Sequence, residues 1–154
     1  MSAHAAPAGL SATSGHRARD ASRTLLWAGR ILTALAALFL LFDSTIKLLK
    51  LEPVVESFAR LGYPVTVARG IGGLELALIA AYLIPRTSVL GAVLLTGYLG
   101  GAVSTHVRVG DPLFTHVLFP IYVGVLLWGG LYLRDDRLRT LIPGTGSAGE
   151  APGW

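Results

Sequence analysis

The chain has 154 residues, of which 53% are hydrophobic and only 14% are charged, whereas an average soluble domain has about 25% charged residues. Ten of the charged side chains lie in residues 1–24 and 134–154, and twelve are spread over the 109 residues between. This distribution excludes an ordinary soluble enzyme and a disordered protein. Cysteine is absent, which excludes thiol catalysis, disulfide exchange and thiolate-bound metals.

Four apolar segments are each long enough to cross a membrane as a helix. They run over about residues 25–49, 65–84, 88–107 and 113–133. The predicted fold is therefore an all-α membrane protein, an antiparallel four-helix transmembrane bundle formed by residues 24–134. We predict a disordered cytoplasmic tail over residues 1–23 and a polar cytoplasmic tail over residues 135–154.

A short interfacial helix is predicted in the first external loop, between the first and second spans. Pro53 suits a first helical turn, and Gly62 suits a helix C-terminus. Helical spacing places four apolar residues on one face of this segment, which is typical of a helix lying on a membrane surface: Val54, Val55, Phe58 and Leu61.

The basic residues predict the orientation. Seven arginines lie on the side of the two tails and the second connection, against three basic residues on the other side. Because positively charged loops favour the cytoplasm, we expect both termini there, in a multi-pass protein of the cell's inner membrane. The net charge of +4 forms no basic face, so a nucleic-acid partner is not expected. Four aromatic residues are predicted to form a belt at the cytoplasmic interface: Trp27, Tyr82, Trp128 and Tyr132.

Small residues and prolines predict local features of the third and fourth spans. Gly97 and Gly101 form a GxxxG pair that permits close helix approach, and this face is a candidate for homo-oligomer contacts. Asp111 is predicted to cap the fourth span. Pro120 leaves the carbonyl of His116 without its helical partner and should kink this span.

Several segments together resemble the DoxX-like family of small four-span membrane proteins over about residues 28–143. The most telling pieces are Pro85–Ser88, Gly97–Ala102, His106 and Trp128–Tyr132. The family takes its name from a subunit of a thiosulfate:quinone oxidoreductase, and most members are bacterial or archaeal. The resemblance implies a four-span fold, a quinone as cofactor and a redox partner protein. It leaves open whether the chain is itself an enzyme.

Ionisable residues inside membrane spans are costly, which makes them candidates for function. Topology places six of them in the outer half of the bundle: Asp43, Lys47, Arg69, His106, Arg108 and His116. Glu75 lies deeper, and its candidate partners are Lys47, Arg69 and Tyr98. We assign Glu75 and His106 as candidate catalytic residues, and the other five together with Tyr98 as candidate ligand-binding residues. The ten-residue gap between the two histidines matches no zinc spacing, so no metal is expected.

Glu75 has two open interpretations. It either fixes helix packing through a structural hydrogen bond, or lines the floor of an outward-opening cavity and exchanges protons there.

Three functional classes remain open. The first is a quinone-binding or accessory subunit of a membrane oxidoreductase. The second is a carrier for a small anion or a lipid that uses Lys47, Arg69 and Arg108. The third is a structural or assembly partner in the bilayer without chemistry of its own.

Overall fold

The computed structural model describes residues 10–141, and these residues fold into helices joined by short turns. The helices are α1 (Leu10–Leu49), α2 (Glu52–Arg60), α3 (Ala68–Leu83), α4 (Ser88–Arg108), α5 (Phe119–Arg134) and α6 (Asp136–Leu141). A 3₁₀ turn over Val65–Val67 precedes α3, and a π-helical turn over Leu113–Val117 precedes α5. Helix α1 begins within the segment that was predicted to be a disordered tail, so that prediction is wrong for residues 10–23. Residues 1–9 and 142–154 of the predicted tails lie outside the described residues.

Four of the helical segments between residues 10 and 141 are long and apolar enough to cross a membrane. They are Ser22–Leu49, Val65–Leu83, Ser88–Arg108 and Leu113–Arg134. The shortest has 19 residues, which span about 28 Å and match a hydrocarbon core of about 30 Å. Only 28% to 33% of each span is buried within the bundle, so most of the apolar surface faces lipid. The predicted all-α membrane fold is confirmed.

The four spans form a ring in which α1 packs on α3 and α5, and α4 packs on the same two helices. Short turns connect α3 to α4 and α4 to α5, and α2 connects α1 to α3, so that adjacent spans run antiparallel. The centre of the bundle is an apolar cluster built from all four spans; its fully buried members include Leu40, Ile79, Leu95 and Leu127. At one end, α2 lies across the bundle and buries Val54 and Phe58 against Ala68. We call this the α2 end.

Tyr82 belongs to the core, and the prediction that it lies in an interfacial aromatic belt is wrong. The residue is fully buried, and its hydroxyl donates to the carbonyl of Leu127 at 2.8 Å. The guanidinium of Arg134 stacks over its ring and donates to its backbone carbonyl. Tyr82 therefore connects α3 to α5 at the end of the bundle opposite α2.

The close helix contacts depend on other glycines than those predicted. A Cβ atom at Gly91 would collide with the backbone of Tyr82, and one at Gly72 would lie 2.9 Å from the carbonyl oxygen of Ser44. A Cβ at Gly97 or Gly101 would meet no atom within 4 Å among the described residues. The predicted GxxxG pair therefore makes no close helix contact within residues 10–141.

The turns at the α2 end are closed by residues with positive φ. Lys50 has a φ of 52°, and Gly62 and Gly110 have φ values of 73° and 72°. Left-handed residues at these positions are typical of helix C-termini. At Gly110 this turn lets the amide of Asp111 donate to the carbonyl of His106 at 3.1 Å. The end of α4 thus brings Asp111 next to His106.

The fourth span is interrupted where Pro120 was predicted to disturb it. The π-helical turn ends at Val117, and regular α5 begins at Phe119. Asp111 does not cap this span, because no side-chain capping bond is present and Pro112 holds the cap position. Its carboxylate pairs with His106 and Arg60 instead.

Candidate functional site

The candidate site begins with two charged residues on one face of α1. Asp43 and Lys47 are four residues apart and form an ion pair, in the order that is favourable on a helix. Gly72 lets α3 approach α1 closely, since a Cβ atom at this position would lie 2.9 Å from the carbonyl oxygen of Ser44 and 3.0 Å from the Cβ of Lys47. Glu75 follows Gly72 by three residues, on the same face of α3, and therefore reaches Lys47.

The four side chains Asp43, Lys47, Glu75 and Tyr98 form one hydrogen-bonded group, which we call the Lys47 cluster. The Nζ of Lys47 donates to Asp43 Oδ2, to Glu75 Oε2 at 2.9 Å and to the hydroxyl of Tyr98 at 2.8 Å. The Tyr98 hydroxyl donates to Glu75 Oε2 at 2.8 Å. Two of the three partners predicted for Glu75 are thus present.

The side chains of the Lys47 cluster differ in how far they are exposed. The side chain of Glu75 is 0% exposed, that of Lys47 is 14% exposed and that of Asp43 is 29% exposed. The second carboxylate oxygen of Glu75, Oε1, has no hydrogen-bond partner among residues 10–141. With both carboxylates ionised, the cluster carries one uncompensated negative charge.

A cavity of about 580 Å³ lies beside this cluster at the α2 end. Most of its wall is apolar, and α1, α2, α4 and α5 contribute most of it. Asp43, Lys47, Tyr98 and His106 supply polar groups to the wall. Glu75 does not line the cavity, so the prediction that it forms the floor is wrong. It lies behind Lys47 and Tyr98 instead and contacts the cavity only through them.

The glycine pair predicted for helix packing contributes to this space. Gly97 and Gly101 both line the cavity, and the absence of side chains there leaves room between α4 and its neighbours. Phe39 and Phe119 form the opposite part of the wall, with ring centroids 5.0 Å apart in an edge-on contact.

A second polar group holds α2 against the end of α4. Nδ1 of His106 lies 2.6 Å from Asp111 Oδ2, and Arg60 of α2 pairs with the other oxygen of the same carboxylate. The bond to His106 and the charge of Arg60 hold the pKa of the Asp111 carboxyl below its ordinary value of 3.8. Because Asp111 accepts, the hydrogen of the His106 ring is assigned to Nδ1.

Three of the predicted ligand-binding residues lie outside the cavity wall. Arg69 is exposed and donates to the carbonyl of Leu48 at 3.3 Å. Arg108 donates to the carbonyl of Leu61 and lies over the ring of Tyr63. His116 packs edge-on against His106, with ring centroids 5.8 Å apart. The described residues contain no group of three His, Asp or Glu side chains that could hold a metal ion.

Two contributors to the site were missed by the sequence prediction. The sequence predicts Asp111 only as a helix cap, and it assigns Arg60 no role in the site. Gly110 was the available signal, because a glycine after a helix end indicates a turn that reverses the chain onto the last helical residues.

One comparison with known proteins, that with family models, identifies the family. The model of the DoxX-like family matches residues 31–130, which include the Lys47 cluster, His106 and Asp111. No curated protein and no solved structure matches the chain. Because the match covers most of the chain, the protein belongs to the DoxX-like family.

Proposed function

We propose that this DoxX-like membrane protein binds a quinone in the cavity at its α2 end and serves as an accessory subunit of a membrane oxidoreductase. The observation that carries the proposal is an apolar cavity within the membrane spans, next to a hydrogen-bonded polar cluster. A quinone fits both parts of this site, because its polar head group can lie at the polar cluster and its apolar tail in the apolar cavity.

The size of the cavity supports a ligand of this kind. A volume of about 580 Å³ lies within the range of about 300 to 1,000 Å³ that is usual for small-molecule and cofactor sites. Phe39, Leu74 and Phe119 line the cavity and are 38%, 53% and 41% exposed. In a bilayer these exposed surfaces face acyl chains, so a ligand dissolved in the membrane has direct access.

The residues of the chain would hold the head group and its protons. The quinone supplies the redox chemistry when it is bound. Asp43, Lys47 and Tyr98 border the cavity, where they can orient a polar head. Glu75 is reached only through Lys47 and Tyr98, so it is placed to store a proton rather than to contact the ligand.

The anion carrier has less support. It relied on three cations, but Arg69 and Arg108 do not line the cavity, and both donate to backbone carbonyls. Lys47 is paired with two carboxylates. The cavity therefore presents no unpaired cation among the described residues.

The test of quinone binding uses two matched glycine variants. Gly101 lines the cavity and Gly100 does not, while a Cβ at either position meets no atom within 4 Å. We expect Gly101→Leu to fill the cavity and Gly100→Leu to leave it open. Binding of a decyl-substituted benzoquinone to protein in nanodiscs is measured by equilibrium dialysis, with empty nanodiscs as the background.

Wild type and Gly100→Leu should bind above the background, and Gly101→Leu should lose that binding. Mass spectrometry of the purified protein should also identify a co-purified quinone. Equal binding by Gly100→Leu and Gly101→Leu, or none by the wild type, contradicts the proposal.

We also propose that both termini are cytoplasmic, which the arginines of the tails and of the second connection support. Reporter fusions at Gly110 and after Leu141 should then give opposite signals. Matching signals would contradict this orientation and the tail assignments that depend on it.

A further inference from the structure

The hydrogen-bond donors of Lys47 and Tyr98 at the cavity wall all have acceptors within the protein. Lys47 has three N–H groups, and they donate to Asp43, Glu75 and Tyr98. The single O–H of Tyr98 donates to Glu75. A ligand that needs a donor from either residue must first break a bond within the Lys47 cluster.

Two of the three lining hydroxyls nearer to α2, those of Tyr63 and Thr105, are also engaged in hydrogen bonds within the protein. Thr105 donates to the carbonyl of Gly101 at 2.9 Å, so its oxygen accepts from the hydroxyl of Tyr63 at 3.2 Å. Ser57 is the one lining hydroxyl without a hydrogen bond among the described residues, and a hydroxyl can serve as donor or acceptor.

The acceptors, in contrast, remain available. Asp43 accepts from Lys47 through Oδ2, and its side chain is still 29% exposed at the cavity. Two carboxylate oxygens provide about four acceptor positions, so the carboxylate has capacity left. Nδ1 of His106 is bonded to Asp111, and in the tautomer that places the ring hydrogen on Nδ1, Nε2 is an acceptor.

From this imbalance we infer that the cavity binds its ligand as a hydrogen-bond donor, and that Asp43 selects the reduced hydroquinone (quinol) over the oxidised quinone. The inference rests on the proposed function. A quinol carries two hydroxyl groups that donate to carboxylate oxygens. A quinone has only carbonyl acceptors at the same positions, and it finds no uncommitted donor at the Lys47 cluster.

The direct test compares the two redox forms on the wild-type protein. Decyl-substituted benzoquinone and its pre-reduced quinol are measured separately in nanodiscs under anaerobic conditions. We expect the quinol to bind at least tenfold more tightly, which corresponds to about 1.4 kcal/mol. Equal binding, or tighter binding of the oxidised form, overturns the inference.

A substitution at Asp43 assigns the preference to one residue. Asp43→Asn replaces the charged acceptor with a neutral amide, whose NH2 group adds a hydrogen-bond donor to the cavity wall. We therefore expect about tenfold weaker binding of the quinol and no loss for the quinone. Glu56→Gln makes the same chemical change on the exposed side of α2, outside the cavity wall, and should leave both affinities unchanged.

The outcomes separate this inference from the proposed function. If both forms bind equally and Gly101→Leu abolishes both, the cavity is a quinone site and only the inference is wrong. If neither form binds above empty nanodiscs, both are wrong. If Asp43→Asn weakens both forms equally, Asp43 is not the selecting residue. The wild-type comparison needs no variant, so it decides the preference even if Asp43→Asn does not fold.

Discussion

Replacing Lys47 by Met should destabilise the protein strongly, because it removes the one cation that Asp43 and Glu75 share. Methionine keeps the length and apolar surface of the side chain. Breaking a buried ion pair by removing one partner costs about 3–5 kcal/mol, since the other charge stays buried without compensation. Glu75 is 0% exposed, whereas Asp43 is 29% exposed and can be hydrated. We therefore expect a loss of about 3 kcal/mol in the free energy of unfolding, at the lower end of that range.

The magnitude is tested by a second substitution that removes the buried charge. Glu75→Gln in the Lys47→Met background leaves a neutral amide that still accepts from Tyr98. Because the uncompensated charge is then gone, we expect the double variant to recover about 2 kcal/mol of the loss, within the coupling range of contacting residues. Unfolding is followed by circular dichroism during titration with sodium dodecyl sulfate in mixed micelles.

Arg69→Met is the matched control for a lost cation. Arg69 lies in the same membrane span as Glu75 but is exposed and donates only to a backbone carbonyl. Its replacement should cost less than about 1 kcal/mol, as expected for substitutions away from buried networks. If Lys47→Met is no more destabilising than Arg69→Met, or if Glu75→Gln adds to the loss, the charge-pairing argument is wrong.

Three further predictions follow from the same structure. Glu75→Gln alone should keep the fold and weaken quinol binding, whereas Glu75→Leu should lower the free energy of unfolding; normal binding by the Gln variant would make this residue purely structural. Gly91→Leu should cost about 3 kcal/mol through overpacking, and Gly97→Leu, which has open space, should cost little by the same unfolding assay. The lowered pKa of Asp111 means that its carboxylate stabilises the α2 end above pH 3.8 and loses that effect as the pH falls through the lower folded-state pKa. The protection factors of the α2 amides, measured by hydrogen exchange relative to the intrinsic rate at each pH, should therefore fall at low pH in the wild type, and Asp111→Asn should remove most of that change.

The membrane spans and α2 were predictable because they depend on local sequence. Long apolar segments identify the spans, and Pro53 and Gly62 mark the bounds of α2 to within a residue or two. The pairing of Glu75 with Lys47 and Tyr98 was also among the expectations, since few polar side chains share that depth of the bundle.

The roles of the glycines were not predictable from spacing alone. Gly97 and Gly101 have the GxxxG spacing but border a cavity, whereas Gly91 and Gly72 make the close contacts without any such motif. Which glycine meets a neighbouring helix depends on how each helix is rotated about its axis. That rotation is set by packing of the whole bundle and not by the spacing within one helix.

The sequence also could not predict in which direction the long side chains of Arg69 and Arg108 point. Arg69 and Arg108 lie near the polar residues in sequence and topology, yet both donate to backbone carbonyls at helix ends. A helix C-terminus offers carbonyls without intrahelical partners, and it competes with a distant carboxylate for a flexible guanidinium. Sequence position cannot decide that competition, because it depends on which carbonyl lies within reach.

The position of the Lys47 cluster beside the cavity is relevant to whether its charges serve packing or ligand binding. Buried ion pairs are weak contributors to stability, and apolar residues of similar volume often stabilise a fold equally well or better. A purely structural contact could therefore have been made without charges at this depth. The charged side chains instead border a cavity through Asp43 and Lys47, and one oxygen of Glu75 has no hydrogen-bond partner among the described residues. Charged side chains at the wall of a cavity are what the proposed binding of a quinone head group would require.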